Sequence, residues 1–397
     1  MKNRTGLFTN MIIWFGVAIS VSEIQAGIQI GSAAHINSIW IPLILGHAIG
    51  GILLYFVGLI GARLRVNAME SIKSTFGNFG SKFFATLNVL QLIAWVAVLN
   101  AQGALALMGL NVPISFALTC IILAILIAIW VFIGLQRTSK ITSIIMIVLT
   151  VLLVILSVKL LGIGGGHLMP IKNSATLTFW NIFEISIAMP ISWLPVISDY
   201  TKDVKNPKKA TALSALAYTV ASLWMYFIGI EIVCIGTLDI SQAILISGLG
   251  VQGVFILILS TVTTNFLATN SAGESAKAIF NRLNPKIAGV IVSILSAILA
   301  ISGIMDHYIS FLYLISSVFA PMASVLVVSF YFGKGNNEAK DWYWNIFSWF
   351  VGFVIYQITA GFDSIFLGPT LIAVTVSGAL AYVWILVKRK NQKGSNN

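Results

Sequence analysis

The sequence predicts an all-α integral membrane protein with twelve transmembrane helices. Of its 397 residues, 58% are hydrophobic and only 9% are charged, whereas a soluble domain has about 25% charged residues. Twelve apolar stretches are each long enough to cross a hydrocarbon core, which takes about 20 residues. The predicted spans are 7–30, 38–60, 81–105, 113–135, 141–161, 178–199, 210–236, 244–269, 285–303, 308–332, 342–360 and 366–387.

The positions of the basic residues predict the orientation of the chain. A net charge of +11 is compatible with binding to nucleic acid or to a membrane. With the N-terminus inside, 21 of the 23 lysines and arginines lie on the inner side, and Lys159 and Lys172 lie outside. The positive-inside rule therefore predicts cytoplasmic termini in a cell (inner or plasma) membrane. We expect a monomer in the lipid bilayer, without a nucleic-acid partner, whose first span is retained because it is too long for a signal peptide and contains Glu23.

The sequence has no pattern typical of an enzyme or a metal centre. Cys120 and Cys234 lie in separate spans, and neither the cysteines nor the histidines have ligand spacing. The histidines are His35, His47, His167 and His307. No grouping of Ser, His, Asp or Glu at a usable spacing predicts catalysis. A channel is disfavoured because charge inside the spans is too sparse to line a pore. We expect a transporter without a cofactor.

Two of the predicted spans contain breaks, which indicate a binding site. Span 6 is interrupted by residues 189–195, which include two prolines, Ser192 and Trp193. The centre of span 1, residues 14–27, contains glycines, serines and Glu23. Unwound backbone in a membrane must face protein, water or a ligand, so paired breaks are typical of transporter sites. A proline kink in span 6 and tight packing at the small residues of span 1 are the alternatives.

The spacing of the two breaks predicts an internal repeat. Spans 1 and 6 are five spans apart, and because five is odd, the second unit enters the membrane from the opposite face. We therefore expect an inverted repeat made of residues 1–161 and 178–332. Residues 342–388 form two further spans, which we expect to be peripheral because they hold few internal polar residues.

Spans 3 and 8 supply polar side chains for the expected site. Gln91 and Trp95 lie one helical turn apart, and an amide beside a flat ring suits a planar heteroaromatic ligand. Ser260, Thr263 and Thr264 share a face of span 8, and hydroxyls together with freed carbonyls suit sodium as a coupling ion. The alternatives are an interfacial Trp with a Gln that binds a neighbouring helix, and hydroxyls that bind their own helix.

With these features the sequence resembles the nucleobase:cation symporter family, which includes cytosine permeases and transporters of hydantoin, allantoin and hydroxymethylpyrimidine. The likeness covers essentially the whole chain. The residues that carry it are Trp14-Phe15 through Ser20, Trp95, Ser198-Asp199-Tyr200 and Thr263-Thr264-Asn265. The resemblance implies a five-plus-five inverted-repeat fold with broken helices 1 and 6 and two extra helices, in agreement with the repeat predicted from the breaks.

The resemblance also implies which residues bind the ligands. The implied sodium ligands are the carbonyls of Gly16, Ile19 and Ser260 and the hydroxyls of Thr263 and Thr264. The implied substrate residues are Ser20, Trp95, Met189, Pro190, Asn265 and Thr269, to which the reasoning above adds Glu23, Gln91, Ser192 and Trp193. This chain departs from its relatives in two places. Pro190 replaces an aromatic residue, so Trp193 is a candidate for stacking, and Leu99 replaces the glutamine of hydantoin transporters.

We expect a secondary active transporter that imports a pyrimidine-type base, such as hydroxymethylpyrimidine or cytosine, by sodium or proton symport. A carboxylate at Glu23 suits an exocyclic amine, which favours these bases over uracil or a hydantoin. The alternative is a transporter of another small solute on the same fold, such as an amino acid or a purine. Glu23 would repel the carboxylate of an amino acid.

Overall fold

The computed structural model describes residues 4–164, 177–333, 341–362 and 366–394, without the side chains of residues 135–143, 164 and 392–394. His167 and Lys172 lie outside the described residues, as do Lys2, Lys334 and Lys340, which are among the 21 basic residues predicted on the inner side. Apart from one isolated bridge between Thr5 and Val204, the regular structure in the described part is helical. The helices are α1 (Leu7–Ala18), α2 (Val21–Ala33), α3 (Ile36–Leu64), α4 (Ala68–Gly109), α5 (Phe116–Ile133), α6 (Leu135–Gly164), α7 (Phe179–Ser192), α8 (Ile197–Thr201), α9 (Pro207–Cys234), α10 (Ile240–Ile246), α11 (Gly250–Ile279), α12 (Pro285–Ile301), α13 (Tyr308–Phe332), α14 (Trp342–Thr359) and α15 (Gly368–Gly394), with a 3₁₀ turn at Ile304–His307.

The helices have the length and composition of membrane spans. Among the described residues, eight helical stretches are long and apolar enough to cross a membrane, and the bent pair α1 and α2 raises the number to nine. Three predicted spans fall outside this set. They correspond to α7 with 14 residues, α12 with 17, and α14, whose 18 residues include three Trp, two Tyr and one Asn. The chain is a multi-pass membrane protein.

Polar residues set where several helices begin. The side chain of Asn67 accepts a hydrogen bond from the backbone N–H of the third residue of α4, which satisfies a donor that the first helical turn leaves unpaired. Thr178 and Asn181 form a reciprocal capping box at the start of α7. Asn206 and Asn284 cap helices whose first residue is proline, where the missing N–H costs nothing.

Two glycines with positive φ bend or end helices at positions that differ from the predicted span boundaries. Gly77 has φ +66° and kinks α4, so the predicted span 81–105 is the second part of a longer bent helix. Gly248 has φ +70° and separates α10 from α11. The predicted span 244–269 is therefore wrong at its start, since residues 244–246 belong to α10. Only glycine adopts this conformation without strain, so it readily ends or bends a helix.

Small residues allow close packing around the centre of the protein. A Cβ added to Gly27 on α2 would lie 2.3 Å from the carbonyl oxygen of Tyr226 on α9. A Cβ added to Gly50 on α3 would lie 2.2 Å from the Pro190 ring on α7. Glycine lets helix backbones approach closely in a membrane, where packing replaces the hydrophobic effect. These contacts hold α2 against α9 and α3 against α7.

The last helix is attached to the core by a buried carboxylate. Glu184 on α7 is 4% exposed and accepts hydrogen bonds from the Thr370 backbone N–H (3.0 Å) and hydroxyl (2.6 Å) at the start of α15. A side chain from one helix therefore caps another helix. Glu184 was not predicted from the sequence to have a role, yet it gives α15 a specific polar contact with α7, in addition to the packing of α15 against α13 and α14.

Candidate functional site

The break between α1 and α2 presents a backbone carbonyl to α11. Ile19 and Ser20 are not helical, and the two helices meet at 49°. The Ser20 hydroxyl accepts a hydrogen bond from the Glu23 N–H at 3.3 Å and so caps α2. In a continuous helix the Glu23 N–H would bind Ile19 O. Because it binds Ser20 instead, Ile19 O lacks this helical partner. It accepts hydrogen bonds from the hydroxyls of Ser260 (2.9 Å) and Thr264 (3.3 Å) on α11.

This contact brings together two of the five expected sodium ligands, the Ile19 carbonyl and the Thr264 hydroxyl, whereas Ser260 joins it through its hydroxyl instead of the expected carbonyl. Gly16 O accepts a hydrogen bond from the Ile19 N–H at 3.3 Å, one turn before the break. The carbonyl of Ile19 and the hydroxyls of Ser260 and Thr264 lie within hydrogen-bond distance. Thr263 differs, because its hydroxyl donates to Leu259 O in its own helix at 2.6 Å. That is the alternative considered for hydroxyls in membrane helices.

A small buried cavity adjoins the break. Six predicted ligand residues line it together with Val17, Ser22 and Leu99. The six are Ser20, Glu23, Trp95, Met189, Trp193 and Thr264. Trp193 is the most exposed residue of the lining at 8%. The cavity has room for about one water molecule in this conformation. A six-membered ring therefore enters only when the surrounding helices move.

The second break begins later than predicted. The predicted interruption at 189–195 is wrong at its start, since α7 continues through Met189 and Pro190 to Ser192, and the turn comprises residues 193–196. The Pro190 ring faces Gly50 of α3, so the helix tolerates it against a neighbour that has no side chain. Trp193 instead lines the cavity and packs edge-on against Trp14 at a centroid distance of 6.0 Å.

The turn and α8 are fixed by the residues 198–200, which carry part of the family resemblance. The Ser198 hydroxyl donates to Val57 O at 3.3 Å, and the Asp199 carboxylate accepts from the Ala68 N–H at 2.9 Å. The Tyr200 hydroxyl donates to Leu267 O at 2.8 Å. These bonds attach α8 to α3, α4 and α11. The motif is therefore a structural anchor for the turn that carries Trp193.

Gln91 and Ser192 lie next to the cavity rather than in its lining. The Gln91 amide donates to Ser192 O at 3.1 Å and to Asn88 Oδ1 at 2.8 Å, and so joins α4 to the end of α7. The Ser192 hydroxyl donates to Met189 O at 2.6 Å within its own helix. Within the described residues, Gln91 Oε1 is buried and has no hydrogen-bond partner.

Asn265 and Thr269 also lie outside the cavity lining. The Asn265 amide contacts Val96 O at 3.4 Å, which places it between α11 and α4. The side chain of Thr269 lies beside Gly289 of α12. The described part of the chain offers no partner to Asn265 Oδ1 or to Thr269 Oγ1, although both are buried.

Trp95 is held by aromatic neighbours that the sequence analysis did not include. Its ring makes edge contacts with Tyr308 and Phe311 on α13, at centroid distances of 6.3 and 5.4 Å. Such packing fixes the orientation of an aromatic side chain. Its indole Nε1 is buried, and none of the described residues accepts a hydrogen bond from it.

Glu23 belongs to a buried polar chain across four helices. Tyr218 OH and Ser222 Oγ on α9 lie 3.0 and 2.5 Å from its two carboxyl oxygens. Ser222 Oγ lies 2.7 Å from His47 Nε2 on α3, and His47 Nδ1 lies 2.6 Å from Ser186 Oγ on α7. The sequence analysis treated His47 as one of four scattered histidines, because its partners are 139 and 175 residues away. The spacing of Tyr218 and Ser222, one turn apart, was the available signal.

A buried cavity beside breaks in two helices of a multi-pass membrane protein is typical of a membrane transporter. Comparison with known proteins identifies the transporter family to which the chain belongs. The model of the family described as permeases for cytosine/purines, uracil, thiamine and allantoin matches residues 1–385. The chain belongs to this family, and it is a permease and not an enzyme.

Individual relatives are distant but cover most of the chain. Cytosine permease of Escherichia coli (strain K12) is 22% identical over 342 residues, which cover 84% of this chain and 80% of the relative. The inward-facing conformation of Mhp1 has a TM-score of 0.79 at 20% identity and covers 98% of this chain and 92% of its own. Mhp1, a nucleobase-cation-symport-1 family transporter, in a closed conformation with bromovinylhydantoin bound, has a TM-score of 0.75 at 21% identity, covering 97% and 94%. These structures share the fold.

Proposed function

We propose that the protein is a secondary active transporter that imports a pyrimidine-type base, hydroxymethylpyrimidine or cytosine, by sodium or proton symport across the cell membrane. The observation that carries the proposal is the cavity beside the α1–α2 break, because two tryptophans and one carboxyl group line it. Family membership supports a base or a related compound as substrate.

The cavity lining suits a flat ring with an amino group. Trp95 and Trp193 offer aromatic surfaces, and stacking on such a surface is worth about 1–3 kcal/mol per base. Trp95 Nε1 is a donor for which the described residues supply no acceptor, so it is available to a ring nitrogen or oxygen. Glu23 supplies an acceptor for an exocyclic amine. Leu99 adds an apolar wall where a hydantoin would need an amide partner.

Sodium is a candidate coupling ion at the break. Ile19 O, Ser260 Oγ and Thr264 Oγ1 are neutral oxygen ligands that lie close together, and Gly16 O is one turn away. This donor set suits a monovalent cation. A Na⁺-coupled sialic acid symporter has a similar fold, with a TM-score of 0.73 at 14% identity and coverage of 97% of this chain and 90% of its own. Thr264 also lines the cavity, so the ion and the substrate would be neighbours.

The proposed transport cycle follows from the inverted repeat. Residues 1–161 and 178–332 would form the two repeats, residues 342–388 two further spans, and the twelve spans would place both termini in the cytoplasm of a monomeric protein. The two breaks, at residues 19–20 and 193–196, would then lie in the first span of each repeat. Movement of the repeats would open the small cavity to one side of the membrane at a time.

Uptake by the purified protein in proteoliposomes tests this proposal. We expect accumulation of radiolabelled cytosine or hydroxymethylpyrimidine under an inward sodium or proton gradient. Unlabelled amino-substituted pyrimidines should compete better than uracil, a hydantoin, a purine or an amino acid. Uptake of an amino acid or a purine without uptake of any pyrimidine would contradict the proposal.

A further inference from the structure

The buried polar chain around Glu23 requires a proton that its groups do not supply in their usual neutral-pH forms. The chain contains five contacts of 3.0 Å or less. They are Tyr218 OH to Glu23 Oε1 (3.0 Å), Glu23 Oε2 to Ser222 Oγ (2.5 Å), Ser222 Oγ to His47 Nε2 (2.7 Å), His47 Nδ1 to Ser186 Oγ (2.6 Å) and Ser186 Oγ to Leu43 O (2.6 Å). Each contact at this distance needs one hydrogen between the two atoms.

A carboxylate and a neutral imidazole leave the chain one hydrogen short. Tyr218, Ser222, Ser186 and neutral His47 each have a single hydrogen to donate, which makes four hydrogens for five contacts. Neighbouring hydroxyls do not fill the gap, because Tyr226 donates to Ile185 O at 3.2 Å and Tyr308 donates to Ser22 O at 3.2 Å.

The Leu43 carbonyl at one end of the buried polar chain fixes the hydrogen-bond directions. These directions determine which group carries the extra hydrogen. Leu43 O only accepts, and it lies 2.6 Å from Ser186 Oγ and 3.2 Å from His47 Nδ1. Ser186 therefore donates to it, and the His47 Nδ1–H is shared between Leu43 O and Ser186 Oγ. A neutral His47 then accepts at Nε2 from Ser222. Ser222 has no second hydrogen, so Glu23 donates to Ser222 and is a neutral carboxylic acid.

The other way to supply the hydrogen is an imidazolium at His47 opposite a carboxylate at Glu23. His47 is 0% exposed and Glu23 is 2% exposed, and Ser222 separates them. Separated charges in such surroundings are costly, so the neutral arrangement is favoured. The titratable groups facing the pair are Tyr218 and Tyr226 on α9 and Tyr308 on α13.

Other charged groups do not compensate Glu23. Glu184 lies on α7, as Ser186 does, and is bound to Thr370 of α15. In the described part of the chain, the side-chain ion pairs formed by lysine or arginine do not involve Glu23. The basic residues of α3 and α9 lie at the helix ends: Arg63, Lys208 and Lys209.

We propose that Glu23 holds one proton in this conformation, oriented by Ser222 and His47, and that this proton crosses the membrane with the substrate. Glu23 lines the cavity at the break, so a change of access that opens the cavity also opens a path for the proton. In a protonated carboxyl group Oε1 is still a hydrogen-bond acceptor, so Glu23 also accepts a hydrogen bond from an exocyclic amine. The proton site stands on the hydrogen count alone, whereas its coupling to transport rests on the proposed function.

Infrared spectroscopy of the ligand-free protein in lipid nanodiscs tests the proton site without substrate. At neutral pH we expect a protonated-carboxyl C=O band that is lost in Glu23→Gln and retained in Glu70→Gln, a surface control. Identical carboxyl bands in wild type and Glu23→Gln would overturn the proposal.

A matched pair at His47 tests the chain beyond Glu23. His47→Gln keeps one donor and one acceptor, so the Glu23 band should persist. His47→Leu removes the acceptor for Ser222, which is then free to donate to a carboxylate. The Glu23 band should fall at least about twofold, since two donors then satisfy the carboxylate. A band of equal strength in both variants would show that His47 does not hold the proton in place.

The transport step has a separate readout. In proteoliposomes with the same sodium concentration on both sides, uptake of labelled cytosine should remove protons from the outer medium, detected with a pH-sensitive dye. Cytosine uptake without proton movement would overturn the coupling. Absence of any base uptake, with the Glu23 band present, would reject the proposed function and leave the proton site supported.

Discussion

Replacement of Trp95 should weaken substrate binding in a graded way. The ring lines the cavity and is held edge-on by Tyr308 and Phe311, so it is already oriented for a ligand. Trp95→Ala removes the stacking surface, which is worth about 1–3 kcal/mol per base. This corresponds to a Kd about 5- to 150-fold higher. Trp95→Phe keeps an aromatic face but loses the indole N–H, a loss of about 0.5–1.5 kcal/mol or roughly 2- to 13-fold.

Equilibrium binding of radiolabelled cytosine or hydroxymethylpyrimidine to the purified variants measures both effects. Trp349→Phe is the matched control, because Trp349 is also 6% exposed but lies on α14, where its indole donates to Val318 O at 2.9 Å. It should leave the Kd unchanged. Trp95→Ala also removes buried aromatic volume, at about 3–5 kcal/mol of stability, so thermal unfolding must show that the variant is folded. Equal Kd values in wild type and both folded Trp95 variants would remove Trp95 from the site.

Three further perturbations test other parts of the structure. Thr264→Ala should raise the sodium concentration for half-maximal substrate binding by at least about tenfold, since a hydrogen bond to a charged group is worth about 1.5–3 kcal/mol. Thr263→Ala should change it little, and equal effects of the two would contradict the assigned geometry. Glu184→Ala should destabilise the protein by about 1–3 kcal/mol for each of the two donors left unpaired at α15, and an unchanged thermal midpoint would show that this cap is dispensable. Gly50→Ala should cost about 1–3 kcal/mol by overpacking against Pro190, measured by the same melt, and an unchanged midpoint would refute the close contact between α3 and α7.

Local patterns in the sequence predicted much of the fold. The apolar lengths and the caps define the helices, and the small and polar residues at the centre of span 1 predicted a break that the structure places at Ile19 and Ser20. Predicted helix boundaries were wrong where the backbone dihedral angles of a single residue determine them. Gly248 divides a stretch of continuous apolar character, and Pro190 lies within a helix because Gly50 leaves space for its ring.

Contacts between residues that are far apart in the sequence were harder to predict. Trp95, Met189 and Trp193 were predicted as substrate residues and line one cavity with Glu23. The partners of Glu23 were missed, because nothing local indicates that a histidine on α3 and a serine on α9 converge on one carboxyl group. The role of Glu184 was missed for the same reason, since its partner lies 186 residues further along the chain.

The structure of the protein in complex with cytosine or hydroxymethylpyrimidine, determined by electron cryo-microscopy, tests the central claim most directly. We expect an enlarged cavity at the α1–α2 break, with the ring stacked on Trp95 or Trp193 and its exocyclic amine within hydrogen-bond distance of Glu23. A base bound elsewhere, with this cavity still closed, would contradict it.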